Sequence, residues 1–112
     1  MHDLPLQAFA ALDIRTGTIV SAEPFPEARK PAYKFTIDFG PELGQKRSSA
    51  QLTARYTREE LAGKQIVAVV NFPPKRVAGF LSEVLVLGVP DENGETVLLA
   101  PVSAVKNGVR VY

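Results

Sequence analysis

The chain has 112 residues, 46% of them hydrophobic and 22% charged, which is enough apolar character for a packed core and too much for a disordered segment. That length fits one domain, 1–112, and leaves a large surface for its volume, so association with a second copy is expected. Thirteen Lys+Arg against twelve Asp+Glu give a net charge of +1, well short of a dedicated nucleic-acid binder, and the absence of cysteine excludes disulfides, thiolate chemistry and cysteine-based zinc sites.

The N-terminus, Met1 to Leu12, has neither the basic start nor the apolar run of a signal peptide. No stretch approaches the ~18 apolar residues of a membrane helix. A soluble cytoplasmic protein without membrane insertion is therefore expected. Asp3 before Pro5, with Leu4, Leu6, Phe9, Ala10 and Leu12 at mixed helical spacing, predicts a short helix or turn over Pro5–Leu12. Asp13–Ala22 alternates as a strand, with Ile14, Gly17, Ile19 and Val20 on its packing side; Gly17 predicts a bulge or bend. Pro24-Phe25-Pro26 and Arg29-Lys30-Pro31 bracket a loop, because proline removes ladder donors.

Tyr33–Phe39 is the clearest strand, alternating Tyr33, Phe35, Ile37 and Phe39 against Lys34, Thr36 and Asp38. A turn at Gly40–Gly44 returns the chain as a third strand, Lys46–Leu52. Thr57 and Glu60 have capping-box spacing, so one or two helical turns run to a stop at Gly63. Gln65–Asn71 reads as a buried strand and Phe72–Arg76 as a break. Val84–Val89 is a further strand, and the turn Asp91–Gly94 leads to its hairpin partner Thr96–Ala100. The tail from Val102 to Tyr112 is apolar enough to dock. Short strands, many Gly/Pro turns and one helix between strands three and four predict an all-β, five-stranded barrel of the OB type with apolar N- and C-terminal extensions; a small sandwich fits the pattern too.

No catalytic constellation accompanies this pattern. His2 is the only histidine and sits beside the first methionine, where a solvated side chain is the expectation. Asp91, Glu92, Asn93 and Glu95 lack the spacing of a calcium loop. Ser48-Ser49 has no histidine to activate it, and Glu59-Glu60 belong to a helix start. The glycines form no phosphate cradle, so no metal and no cofactor are implied. Binding signals are stronger. Arg29, Lys30 and Lys34, with Lys46-Arg47, flank one hairpin, and Lys75-Arg76 follow a strand end; gathered on one rim with Phe25, Tyr33 and Phe72 they would form a basic patch, and left apart they are solvated turns. Phe25, Phe72 and Phe80 lie outside the alternating strands, as core plugs or as the lining of a groove for extended peptide.

Several runs resemble one family. Asp13-Ile14-Arg15-Thr16-Gly17-Thr18-Ile19 is similar to the first strand of the tRNA-binding OB domain, found on some aminoacyl-tRNA synthetases and in free-standing dimers. Glu60–Asn71 is similar to its helix and fourth strand, and Ser82-Glu83 with Val84–Leu87 to its fifth. The resemblance implies Ser49, Asn71, Arg76 and Ser82 as tRNA contacts. The chain departs from the RNA-binding pattern at Pro73, Ala78 and Leu81, where those members carry lysine or arginine, which weakens phosphate binding and makes the surface more apolar.

Longer runs, Phe25–Lys34, Ile37–Glu42, Ser48–Gln51, Asn71–Lys75 and Ser82–Asp91, resemble the bacterial export-chaperone members of that family. This implies an ATP-independent chaperone that binds unfolded precursor proteins and assists their export with SecA, tRNA being the alternative ligand. Phe25, Phe72 and Phe80 are then the apolar peptide contacts, and Arg29, Lys30, Lys75 and Arg76 the polar ones. The resemblance also implies a homodimer through both chain ends. Leu6, Phe9, Leu12, Val109 and Val111, apolar residues without an evident internal role, are its candidate interface.

Overall fold

The computed structural model describes residues 3–112; His2 lies outside them. Its centre is a five-stranded, nearly closed antiparallel barrel in the order β3-β2-β1-β4-β7, with β1 at Ile14–Pro24, β2 at Tyr33–Asp38, β3 at Gln45–Ala50, β4 at Gln65–Val69 and β7 at Leu85–Val86. Two small hairpins stand on it: β5 (Lys75–Val77) with β6 (Phe80–Ser82), and β8 (Gly88–Pro90) with β9 (Thr96–Leu98). Three short helices, α1 (Leu6–Ala10), α2 (Gly40–Leu43) and α3 (Arg58–Leu61), complete the order. The expected helix between the third and fourth strands is α3, and its capping box forms as its spacing predicts: Glu60 N–H donates to Thr57 Oγ1 and Thr57 N–H to Glu60 Oε1.

Strand β1 is long enough to serve two partners. Ile14–Thr18 pair with β4, and Thr18–Pro24 pair with β2. The register slips between Ile19 and Ser21, so the bulge falls at Val20, which is exposed, and not at Gly17 as its glycine suggested. Gly17 instead pairs regularly with Ile66 and is needed for space: a Cβ there would stand 2.6 Å from Ile37 Cγ2 and 2.9 Å from the Phe39 ring. Ile19 is fully buried, and its backbone bonds to Gly63 and Lys64, which fixes the end of α3 against the barrel. Leu61 from α3 then joins Ile19, Phe35, Ile37, Phe39, Leu52, Ile66, Ala68 and Val84 in the core.

Other differences from the expected elements have local causes. Gly40–Gly44 is one helical turn, with Gly44 N–H donating to Gly40 O. The run Val84–Val89 divides: Leu85–Val86 pair with β4, whereas Gly88–Pro90 turn away to pair with β9. Gly88 permits this, since a Cβ would meet Thr96 Cγ2 at 2.8 Å and Val97 O at 2.9 Å. The Phe72–Arg76 break leads directly into the unanticipated β5–β6 hairpin. The C-terminal tail docks against β1 through Gly108 N–H to Thr16 O, Thr16 N–H to Val109 O and Val111 N–H to Ile14 O.

Gly17→Ala is expected to destabilise the chain by about 1–3 kcal/mol, because the neighbours of the new methyl group are core side chains with nowhere to go. Urea unfolding of the variant against the parent measures it; an unchanged midpoint contradicts this packing account.

Candidate polypeptide-binding face

In the β2–β3 ladder Phe35 pairs with Ser48 and Ile37 with Lys46, on the side that carries the buried Phe35 and Ile37. The alternate pairs, Lys34 with Ser49 and Thr36 with Arg47, therefore face outward. The β5–β6 hairpin meets this outer surface through Phe80. Its ring packs edge-on against Phe25 with centroids 5.5 Å apart. Lys34 Nζ lies 5.3 Å from the Phe25 ring centroid and 5.7 Å from that of Phe80, while the Arg47 guanidinium stacks 4.8 Å from Phe80. Two rings and two cations thus hold the hairpin to the barrel, each cation–ring contact contributing roughly 0.5–2 kcal/mol. Arg47 also pairs with Glu23.

The barrel wall closes beneath this cluster. Glu83 N–H donates to Arg47 O at 2.8 Å, and Arg47 N–H donates to Glu83 Oε1 at 3.0 Å. Ser48 Oγ, fully buried, donates to Val84 O and lies 3.3 Å from Ser82 Oγ. Ser48 is thereby a seam residue between β3 and the chain entering β7.

Two grooves flank the hairpin. The larger, about 660 Å³, has Phe25, Ala28, Ala32 and Val77 as apolar lining, Arg29 and Lys30 as cations and Glu27 as its carboxylate. The smaller, about 280 Å³, is lined by Phe72, Pro73, Lys75, Ser82, Glu83, Val84 and Leu85. Ser49 and Val77 line both and form the partition between them. Arg29, Lys30, Lys34, Lys75 and Arg76 around this face make no ion pair among the described residues. Two ion pairs away from this face have clear electrostatic consequences. Arg55 holds the Asp91 carboxyl below the ordinary carboxylate range, and Asp91 accepts the Asn93 and Glu95 N–H groups in its hairpin turn. Asp13 raises the pKa of Arg15 through their hydrogen bond.

Of the expected peptide contacts, Phe72 is 45% exposed and Phe80 is half-buried. Phe25 is only 3% exposed; it is the floor of the larger groove, because the loop folds back and closes Phe80 over it. Arg29, Lys30, Lys75 and Arg76 are exposed, and Arg76 reaches Gly79 O across its own hairpin. Among the expected tRNA contacts, Ser49 lines both grooves and Ser82 the smaller one. Asn71 is occupied: its Oδ1 accepts from Asp13 N–H and its Nδ2 donates to Ala11 O, securing the N-terminal segment to the end of β4. The chain ends meet at Arg110, whose Nη2 donates to Ala10 O and Leu12 O; Leu6, Phe9 and Val109 are exposed there, and Leu12 and Val111 half-buried.

Leu81, one of the sequence departures that make this surface more apolar, is exposed on the hairpin; sequence reading missed Leu85, an exposed apolar residue of the smaller groove, and the structural parts of Arg47 and Val77. Leu85 carried one available signal, since the alternation Val84, Leu85, Val86 cannot bury all three side chains.

The barrel, its helix between the third and fourth strands and the hairpin over β2–β3 can now be set beside known proteins. Residues 14–110 match the family described as "Putative tRNA binding domain". The chain belongs to the tRNA-binding-domain family, on its CsaA branch. The crystal structure of chaperone CsaA from Bacillus anthracis is 57% identical, with a TM-score of 0.93 over 99% of this chain and 100% of that one. The CsaA chaperone protein of Picrophilus torridus is 46% identical, with a TM-score of 0.92 over 98% and 100%. Methionine–tRNA ligase of Porphyromonas gingivalis is 35% identical over 110 residues, 98% of this chain and 16% of the ligase. The chain thus spans about one-sixth of the length of the curated relatives it matches. Among the described residues no group of three or more His, Cys, Asp or Glu could hold a metal ion, and no helix is long and apolar enough to cross a membrane.

The hairpin turn places Ala78 at φ 48 and Gly79 at φ 82, the two-residue turn geometry that favours Asn-Gly over Ala-Gly. Ala78→Asn is expected to stabilise the protein by a few tenths to about 1 kcal/mol. Thermal unfolding checks this, and a lowered midpoint contradicts the turn assignment.

Proposed function

We propose that this chain is a non-catalytic, ATP-independent chaperone of the CsaA type that holds unfolded precursor polypeptides on the face around the β5–β6 hairpin. On this reading it works in the cytoplasm and passes its clients to SecA. Two copies joined at Leu6, Phe9, Leu12, Val109 and Val111 would present two such faces, strengthening weak contacts with a long client through effective concentration. One observation carries the proposal: exposed Phe72 and Leu85 share a largely apolar groove, and the neighbouring groove carries Arg29 and Lys30, which make no ion pair among the described residues. Apolar lining gives affinity without sequence preference, and the cations favour clients carrying acidic side chains.

The test is suppression of aggregation of a chemically denatured model protein. The double variant Phe72→Ala, Leu85→Ser alters two exposed side chains and leaves the core intact, so it folds; it is expected to weaken client protection roughly ten-fold. Undiminished protection by the folded variant would contradict this placement.

A second reading, tRNA binding, draws support from the ligase relatives and from the same unpaired cations. It uses Ser49, Arg76 and Ser82 as contacts, while Asn71, occupied with Ala11 and Asp13, acts through the backbone it positions. It requires a gel-shift complex at low salt that weakens steeply as salt rises. No complex at low salt removes this reading.

A further inference from the structure

Strand β3 is one edge of the five-stranded sheet, with β2 as its only ladder partner among the described residues. Its backbone polar groups alternate between facing β2 and facing away. Arg47 faces away, and both its groups are taken by Glu83. Ser49, two residues on, must face the same way, and among the described residues neither its N–H nor its C=O meets a partner. Glu83 therefore blunts one position of this edge, and the next is left unpaired between the two grooves.

We propose that Ser49 is the docking point for an extended client segment, which adds to the β3 edge by pairing its backbone with the Ser49 N–H and C=O. The proposal rests on the polypeptide-binding reading above and specifies its mode: strand addition, with backbone bonds supplying affinity common to all sequences. Side chains two apart on an added strand are separated by about 7 Å. Those on either side of Ser49 enter the two grooves that share it, one floored by Phe25 and Val77, the other walled by Phe72 and Leu85. At the larger groove Arg29 and Lys30 outnumber Glu27 and, among the described residues, make no ion pair, which matches an acidic residue at that end of the segment; at the smaller groove Lys75 stands against Glu83 and sets no charge preference. The favoured client segment is thus extended and alternately apolar, with an acidic residue at its larger-groove end. A segment held as a helix, with its backbone bonds internal, is excluded.

The probe is a synthetic heptapeptide, Glu-Leu-Thr-Leu-Thr-Leu-Glu, added to the full chain. Amide exchange read by NMR is expected to slow about five-fold or more at Ser49 in the saturated complex, while Ser48, already facing β2, changes little. Single N-methylation along the peptide is expected to weaken binding about five-fold at alternate positions only. A saturated complex with Ser49 exchange unchanged, or one indifferent to N-methylation, overturns strand addition and leaves the chaperone reading standing. No binding of the heptapeptide to the folded chain, with Ser49 protected by an oligouridylate instead, overturns both.

Discussion

Everything in this molecule depends on the first strand being able to coil. An 11-residue strand that pairs with β4 along one half and with β2 along the other must bend sharply between them. The bulge at Val20 supplies the bend, and Gly17 lets Ile37 and Phe39 pack directly against the strand's inner side. That coil closes the barrel, brings β3 round to the start of β7, and puts the Arg47–Glu83 and Ser48–Val84 bonds within reach. The outer surface of β2–β3 and the hairpin above it are positioned by this closure.

The face shows how a small barrel keeps apolar surface available without collapsing onto it. Phe25 and Phe80 cover each other, and Lys34 and Arg47 cap the pair, so the hairpin is anchored at its β6 end. Phe72, Leu81 and Leu85 are left exposed around the anchor. The cations there that are not used as caps, Arg29, Lys30, Lys75 and Arg76, make no ion pair among the described residues. The same cations serve a nucleic acid in the alternative reading, and the difference lies in how much apolar surface stands between them.

Much of this was legible in the sequence, for physical reasons. Tyr33–Phe39 alternated, and Phe35, Ile37 and Phe39 are buried; Thr57 and Glu60 formed their reciprocal cap because that motif is local. The illegible parts are those decided by contacts far apart in the chain. Gly17 drew the bulge away from Val20, because a glycine kept for the space of Ile37 and Phe39 reads like one kept for a bend. The β5–β6 hairpin followed two prolines and turned on Ala78-Gly79, which lacks the usual turn pair. Phe25 read as a loop residue because its burial comes from Phe80, in a hairpin that sequence reading did not foresee. For the site, residue types could be named, but the sharing of Ser49 and Val77 by two grooves exists only after closure.

The most direct test of the account is an amide chemical-shift map of the labelled protein titrated with a permanently unfolded client. The account predicts that the largest shifts gather on Ser49, Phe72, Val77, Phe80 and Leu85, around the β5–β6 hairpin. Shifts confined to a third groove away from the hairpin, lined by Tyr56, Lys64, Leu98 and Pro101, would contradict it.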